Sequence, residues 1–354
     1  MSAKVFFSDL KCNMHKSPLT KIKKLINKCD VSSIYGANHL TAVKLHFGEY
    51  GNTAFIRPIY VRPVIEILKR LGAKPFLTDT NTLYVGMRTN SVDHIHNAVL
   101  NGFGYSTLQT PIIIADGLKG ESYDNLEVVN GVHYKYAKIA TGISNADRLF
   151  VISHFKGHEM TGFGGAVKNL AMGCASRAGK NEMHSSVRPL VKEHICTACG
   201  RCLSACDAKA ITISKHASIG DKCVGCAMCI SACPEKAIYT DFNVTCSDLQ
   251  EKIAEYAYAV HNHFKNVVYV NILTSISPAC DCHGGNDAPL IHDIGFMSST
   301  DPVALDKASY DMVVQTAKKD IFKEAWQHLE PTHTFTHTEK IGFGTLNYEL
   351  NIVK

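Results

Sequence analysis

RLFVISHF (148–155) is a near-continuous apolar run that ends in polar residues, and TPIIIAD (110–116) is another of the same kind. Runs of this type suit strands covered on both faces, as in a parallel sheet. Working outward, strand-like and helix-like stretches alternate. KVFF near the amino terminus is a short strand. Ser17-Pro18 then opens a helix with Leu19, Ile22, Leu25 and Ile26 on one face, serine serving as N-cap and proline as first helical residue. HLTAVKLHF (39–47) reads as a strand, Pro63 to Leu71 as an amphipathic helix stopped by Gly72, and PFLTD (75–79) as a strand. Towards the carboxyl terminus come a helix from Leu249 to Phe264, the strand NVVYVNIL (266–273) and a helix capped by Asp301-Pro302 that runs to Ala317. A further helix spans roughly Asp320 to Leu329. The alternation predicts an α/β fold built on an open, mainly parallel sheet.

The 354 residues, 45% hydrophobic and 19% charged, suffice for a substantial core and exclude global disorder. Net charge is +5, and no Lys/Arg-rich run interleaved with aromatics marks a nucleic-acid footprint. MSAKVFFSDL lacks a signal-peptide core, and no stretch approaches the roughly 18 apolar residues of a membrane helix. The expectation is a cytoplasmic chain with neither nucleic acid nor membrane as partner.

Fourteen cysteines in a reducing compartment are not a disulfide framework. Eight of them lie between Cys196 and Cys233, in two copies of one pattern: Cys196, Cys199, Cys202, Cys206, and then Cys223, Cys226, Cys229, Cys233. Both copies have the C-x₂-C-x₂-C-x₃-C spacing of bacterial ferredoxins. Two-residue gaps let one loop wrap three corners of a cubane while the fourth cysteine reaches the other cluster. The expected sets are Cys196, Cys199, Cys202 and Cys233 for one [4Fe-4S] cluster, and Cys223, Cys226, Cys229 and Cys206 for the second. A zinc hook uses paired cysteines and gives the third evenly spaced one no role. Clusters that serve only as scaffolding are the remaining alternative. Each loop is followed by a β-like stretch, AITIS (210–214) and AIYTD (237–241). The block resembles dicluster clostridial-type ferredoxins, apart from Asp207 where that family has proline after the fourth cysteine. The α/β rhythm on both sides makes it an insertion, with the body in residues 1–189 and 242–354 and the cluster domain in 190–241.

The body carries VKLHFGEYGNTAFIRP (43–58), TDTNTLYVGMR (78–88), HFKGHEMTGFGGAVKNLAMGCASRAGK (154–180), CDCHGGNDAPLIHDIGFMSSTDPVALDKA (280–308) and HTEKIGFG (337–344). On these stretches it resembles a widespread prokaryotic family known chiefly as a domain of unknown function and often fused to ferredoxin-type clusters. The resemblance implies an anaerobe-associated iron–sulfur protein and supplies no established reaction.

Open α/β sheets bind ligands at the carboxyl ends of their strands. His46 and Glu49 follow one strand, Asp79 and Asp116 two others, and His154, Lys156 and His158 a fourth. If that last strand continues, the three alternate residues face one way and can ligate a metal or polarise a carbonyl. Gly162, Gly164 and Gly165 then lead into a helix that carries Lys168, where loop amides and an ammonium could hold a phosphate, a carboxylate or a flavin phosphate. Nothing in the sequence asks for flavin in particular; tight packing of the loop against the sheet is the alternative reading of the glycines. Cys174 with Cys280 and Cys282 could form a third metal or cluster site, beside the Asp281–His283 run, although Cys174 lies about 100 residues away and free cysteine is also a good small core residue. The sequence thus suggests a redox enzyme in which electrons from two clusters, supplied by a partner protein, reach a small anionic substrate or cofactor held over the sheet by His46, His154, Lys156, His158 and Lys168. An electron carrier or maturation partner without its own substrate, and a metal-dependent non-redox enzyme with structural clusters, are the alternatives.

Overall fold

The computed structural model describes residues 2–13, 16–83, 86–184, 189–206, 208–223, 228–239 and 242–354. Eight strands share one sheet: β1 (Ala3–Asp9), β2 (Leu40–Lys44), β3 (Lys74–Asp79), β4 (Ile112–Ile114), β5 (Arg148–His154), β6 (Val268–Leu273), β7 (Gly295–Ser299) and β8 (Tyr348–Ile352). Their order is β8-β1-β7-β6-β5-β2-β3-β4. The run from β6 to β4 is wholly parallel, whereas β7 lies antiparallel to both of its neighbours. The chain is therefore α/β with a mainly parallel sheet.

The apolar run that opens the reading explains why β5 sits at the centre. Leu149 and Val151 enter the core on one face of the sheet, and Phe150 and Ile152 enter the core on the other. Helices α1 (Pro18–Asn27) and α2 (Pro58–Arg70) cover the second face. Helices α3 (Ala166–Cys174), α4 (Phe242–Phe264), α5 (Pro302–Ala317) and α6 (His333–Ile341) cover the first. Both predicted caps form: Ser17 accepts from the Thr20 amide, and Asp301 accepts from Val303 and Ala304.

Several boundaries differ from the sequence reading. Helix α2 begins at Pro58, where a first-turn proline loses no bond, and carries Pro63 inside it. The helix expected over 320–329 contracts to Ile321–Ala325. Strand β5 does not run on through His158; Lys156–His158 turns off to pair with Gly162–Gly164 in a separate hairpin. Strand β2 stops at Lys44, which frees His46 from the ladder.

The cysteine block has two small sheets of its own. Leu190–Val191, before the first loop, pairs with Ile238–Tyr239, after the second; Ile211–Ile213, after the first, pairs with Ala217–Ile219, before the second. The two repeats are thus interleaved. No helix among the described residues is long and apolar enough to cross a membrane.

Candidate functional site

From β2 the chain builds outward through β3 to β4, then returns to lay β5 on the other side of β2. That reversal leaves a crevice at the carboxyl ends of β2 and β5, where open α/β sheets bind ligands. Two cavities adjoin there. The larger is a cleft of about 620 Å³, open to solvent and bordered by His46, Arg88, His158, Lys180 and Cys282. The other is bordered by His154, Lys156, Gly164, Gly165 and Asp281, and His46, Lys168 and Cys280 border both. The five side chains expected to hold a ligand over the sheet, His46, His154, Lys156, His158 and Lys168, therefore lie around one crevice.

Its floor is a buried ion pair. Lys44 Nζ, at the end of β2, lies 2.9 Å from Asp79 Oδ1, at the end of β3, and donates to Asn169 Oδ1 at 2.7 Å. Burial by itself would raise the Asp79 carboxyl, but Lys44 beside it holds it below the ordinary value. Gly173 makes room for this lysine, since a Cβ there would collide with the Lys44 ammonium. On the next helix, Arg177–His184, buried Lys180 donates to the Thr80 hydroxyl and to the Ala175 carbonyl. Burial lowers its pKa to about 8, against the pull of Asp116 and Asp79.

Histidine roles separate by hydrogen bonding. His46 Nδ1 lies 2.9 Å from the Gly48 amide nitrogen, and its Nε2 lies 2.9 Å from Arg88 Nη1. The Gly48 amide and arginine can only donate, so His46 accepts from one of them through its single ring lone pair, and the imidazolium, which could accept from neither, is disfavoured. Burial, reinforced by Arg88, accordingly lowers the His46 pKa to about 3. Arg88 is fixed in turn by Glu49 at 2.8 Å. The two nitrogens of His154 instead face acceptors, the Asp281 carboxylate at 2.9 Å and the Thr274 carbonyl at 2.8 Å. Both are spent on structure, which leaves neither nitrogen for a metal.

Cys280 and Cys282 close the crevice. A hydrogen bond with Cys282 takes the Cys280 thiol well below its ordinary pKa, and Lys156 and Lys168 add to this against burial. Burial works to lower the Lys156 pKa, yet Cys280 and Asp281 hold it raised. Neither Lys156 nor Lys168 has a hydrogen-bond partner among the described residues, so two ammoniums face the cavity. Ligand atoms of Glu159, Cys282 and His283 lie within 4.8 Å of one another, a soft-metal donor set at the rim. Cys174 does not join them. It is buried at the end of α3 beside Lys44, Asp79 and Lys180, and burial raises its pKa to about 12.

The glycine loop differs from its expected role as an anion cradle. The amides of Ala166 and Val167, at the amino terminus of α3, donate at 2.7 and 2.9 Å to the buried carboxylate of Asp306. That carboxylate fills the position an external anion would take. Gly165 is required because a Cβ would collide with Asp306, and Gly162 because one would meet Pro331. Gly164 and Gly165 border the smaller cavity, and Lys168 is the charge that this segment offers to a ligand.

In the cysteine block, Cys196, Cys199, Cys202 and Cys233 border a single cavity, so one repeat supplies three thiols and the other supplies the fourth. The repeats match atom for atom at their last cysteines. The Ala210 amide donates to Cys206 Sγ at 3.3 Å and the Ala237 amide to Cys233 Sγ at 3.3 Å, while Lys209 and Lys236 take φ of 48° and 52°. Cys226 and Asp207 lie outside the described residues. The thiols and the crevice donors together fit a metal-binding protein.

Residues 41–311, more than three quarters of the chain, match the family described as "Domain of unknown function (DUF362)". The chain is a DUF362 protein. The matched span of this DUF362 chain includes β2 to β7 and runs through the cysteine block. No curated relative matches it. Among solved structures it is similar to the lactate racemase apoprotein from Thermoanaerobacterium thermosaccharolyticum, at 10% identity and a TM-score of 0.45 over 89% of this chain and 58% of that one. It is also similar to a protein from Thermotoga maritima, at 11% identity and a TM-score of 0.46 over 85% of this chain and 59% of that one. The DUF362 chain thus spans less than three fifths of the length of either.

Arg88, Lys44, Lys180, Glu159 and Asp306 belong to the site although their sequence context gave them no role. Arg88 and Lys180 close two of the stretches that carry the family resemblance, and that position was the available signal.

Proposed function

We propose that this chain is a two-cluster iron–sulfur redox protein that passes single electrons to a small anionic substrate or cofactor in the crevice between β2 and β5. The reading rests on one observation: four thiols drawn from two interleaved repeats border one cavity. The donor set fits a cubane, because the first loop contributes three sulfurs at two-residue spacing and the crossed strand pairing delivers Cys233 from the other repeat. Backbone amides on Cys196, Cys206 and Cys233 give sulfur the N–H contacts that stabilise a ligated thiolate. When bound, the clusters would supply one-electron transfer. The chain's own crevice residues would do the rest: Lys156 and Lys168 hold the anion, and Lys180, with a pKa of about 8, gives up or takes a proton near neutral pH.

Anaerobic purification followed by iron, sulfide and flavin analysis tests this. About eight iron and eight sulfide per chain, with a spin-coupled signal on reduction, are expected for two close [4Fe-4S] clusters. Zinc in place of iron would overturn it. If iron is present but no small anion binds the crevice, the chain is a carrier that docks a redox partner protein. The converging donors of Glu159, Cys282 and His283 favour a second reading, a metal-dependent non-redox site with structural clusters. A divalent ion that binds there, and is lost in Cys282→Ser with cluster iron intact, would select it.

A further inference from the structure

On the side of α4 turned away from the crevice, three histidines and three carboxylates gather. Leu249 and Ile253 border the crevice; Asp248, Glu251 and Glu255 lie at i, i+3 and i+7 on another face of the same helix. Helix α6 presents His333 and His337, one turn apart, and the loop after the strand Tyr123–Glu127 presents His133. Ligand atoms of His133, Glu255 and His337 lie within 4.8 Å of one another.

The hydrogen bonds give each group a role. Glu255 is buried and pinned, accepting from the amides of Val132, His133 and Tyr134 at 2.8 to 3.0 Å. It also lies 3.1 Å from His337 Nε2, and when Nε2 donates from the neutral ring, His337 Nδ1 carries a lone pair. That nitrogen belongs to a side chain 1% exposed and has no hydrogen-bond partner. What faces it is Glu251 Oε2 at 3.5 Å, another acceptor. The same carboxylate oxygen lies 2.7 Å from His133 Nε2, and the other is 3.0 Å from His333 Nε2. Two lone pairs confronting each other in a buried place are stable only with a cation between them. Both histidines show a pattern common to metal ligands, in which the far ring nitrogen leans on a carboxylate: His337 on Glu255, and His133 on Asp248 at 3.5 Å.

We propose that His133, His337 and Glu251 form a site for a divalent transition ion of the zinc class, oriented by Glu255 and Asp248, with His333 held beside it by Glu251. An ion that replaces the proton shared by His133 and Glu251 meets His133 Nε2, the Glu251 carboxylate and His337 Nδ1, and the partly exposed rim leaves a fourth position for water. It ties the 131–134 loop, α4 and α6 together, independently of the iron clusters.

The test is cobalt(II) titration of the anaerobically purified, chelator-treated chain. Wild type should take about one ion with visible d–d bands of nitrogen and oxygen ligation and no thiolate-to-cobalt charge transfer, which separates it from binding at any cysteine. His133→Asn/His337→Gln should lose that ion while its iron content stays at the wild-type value. If the double variant fails to fold, the wild-type spectrum decides alone. Absence of the nitrogen and oxygen bands in wild type, or their persistence in the folded variant, overturns the site and makes the cluster an ion-pair network with His337 protonated between two carboxylates.

Discussion

In the crevice, Lys44 pairs with Asp79, Arg88 with Glu49 and His154 with Asp281, partners separated by 35 to more than 100 residues in the chain. In the cysteine block, three of the thiols around one cavity come from seven consecutive residues, and Cys196 and Cys233 each accept a backbone amide at sulfur. One region locks much of its charge in buried pairs before a ligand arrives, with Lys156 and Lys168 left over. The other, in the proposed reading, depends on the metal its sulfurs would bind. Metal removal should therefore unfold the block and spare the sheet.

The strongest test of that contrast is Cys233→Ser. It should abolish the cluster framed by Cys196, Cys199 and Cys202, roughly halving iron per chain, with the other cluster's signal retained. Loss of the other cluster's signal instead would refute the crossed arrangement. Next comes the crevice floor. Lys44→Met leaves Asp79 buried without its cation and should cost about 3–5 kcal/mol in denaturant unfolding, with iron content unchanged in the folded fraction. If the loss is negligible, the crevice is less internally locked than its geometry implies.

Lys180 gives the crevice a pH signature. Its folded pKa of about 8 lies below the ordinary lysine value, so the unfolded chain binds more protons between about 8 and 10.4, and stability should rise with pH across that window by roughly 2–3 kcal/mol. Below pH 8 the penalty is present in full. Lys180→Met should flatten the slope, measured as the denaturation midpoint against pH. The smallest effect concerns the ammoniums left facing the cavity: Lys156→Met should weaken binding of oxalate, a small dianion, by about tenfold in calorimetry while leaving the clusters untouched. Unchanged affinity would place the anion elsewhere.

What could be read from the sequence divides along the same line. Features written in neighbouring residues were legible: the apolar runs of β4 and β5, the caps at Ser17 and Asp301, and the cysteine spacing. The strand ends also drew attention to His46, His154 and His158, which do border the crevice. Pairings across the fold were not legible. The glycine loop looked like an anion cradle because its filler, Asp306, lies 140 residues beyond Ala166. His154 looked like a free ligand because Asp281 and Thr274 meet it only after β5 and β6 pair. Cys174 was open between a core residue and a partner for Cys280 because spacing says nothing of where α3 ends.

Leu190 faces Tyr239 and Val191 faces Ile238 in the small sheet where the chain enters and leaves the cysteine block. Adjacent strands lie about 5 Å apart, so the two ends of a fifty-residue excursion stand almost at one point. For a gene, such closed ends are a natural seam. A single recombination event could insert or excise the segment, a few linking residues would bridge the gap, and β5 and β6 would keep their register. Paralogues with and without the cysteines should then share the same crevice.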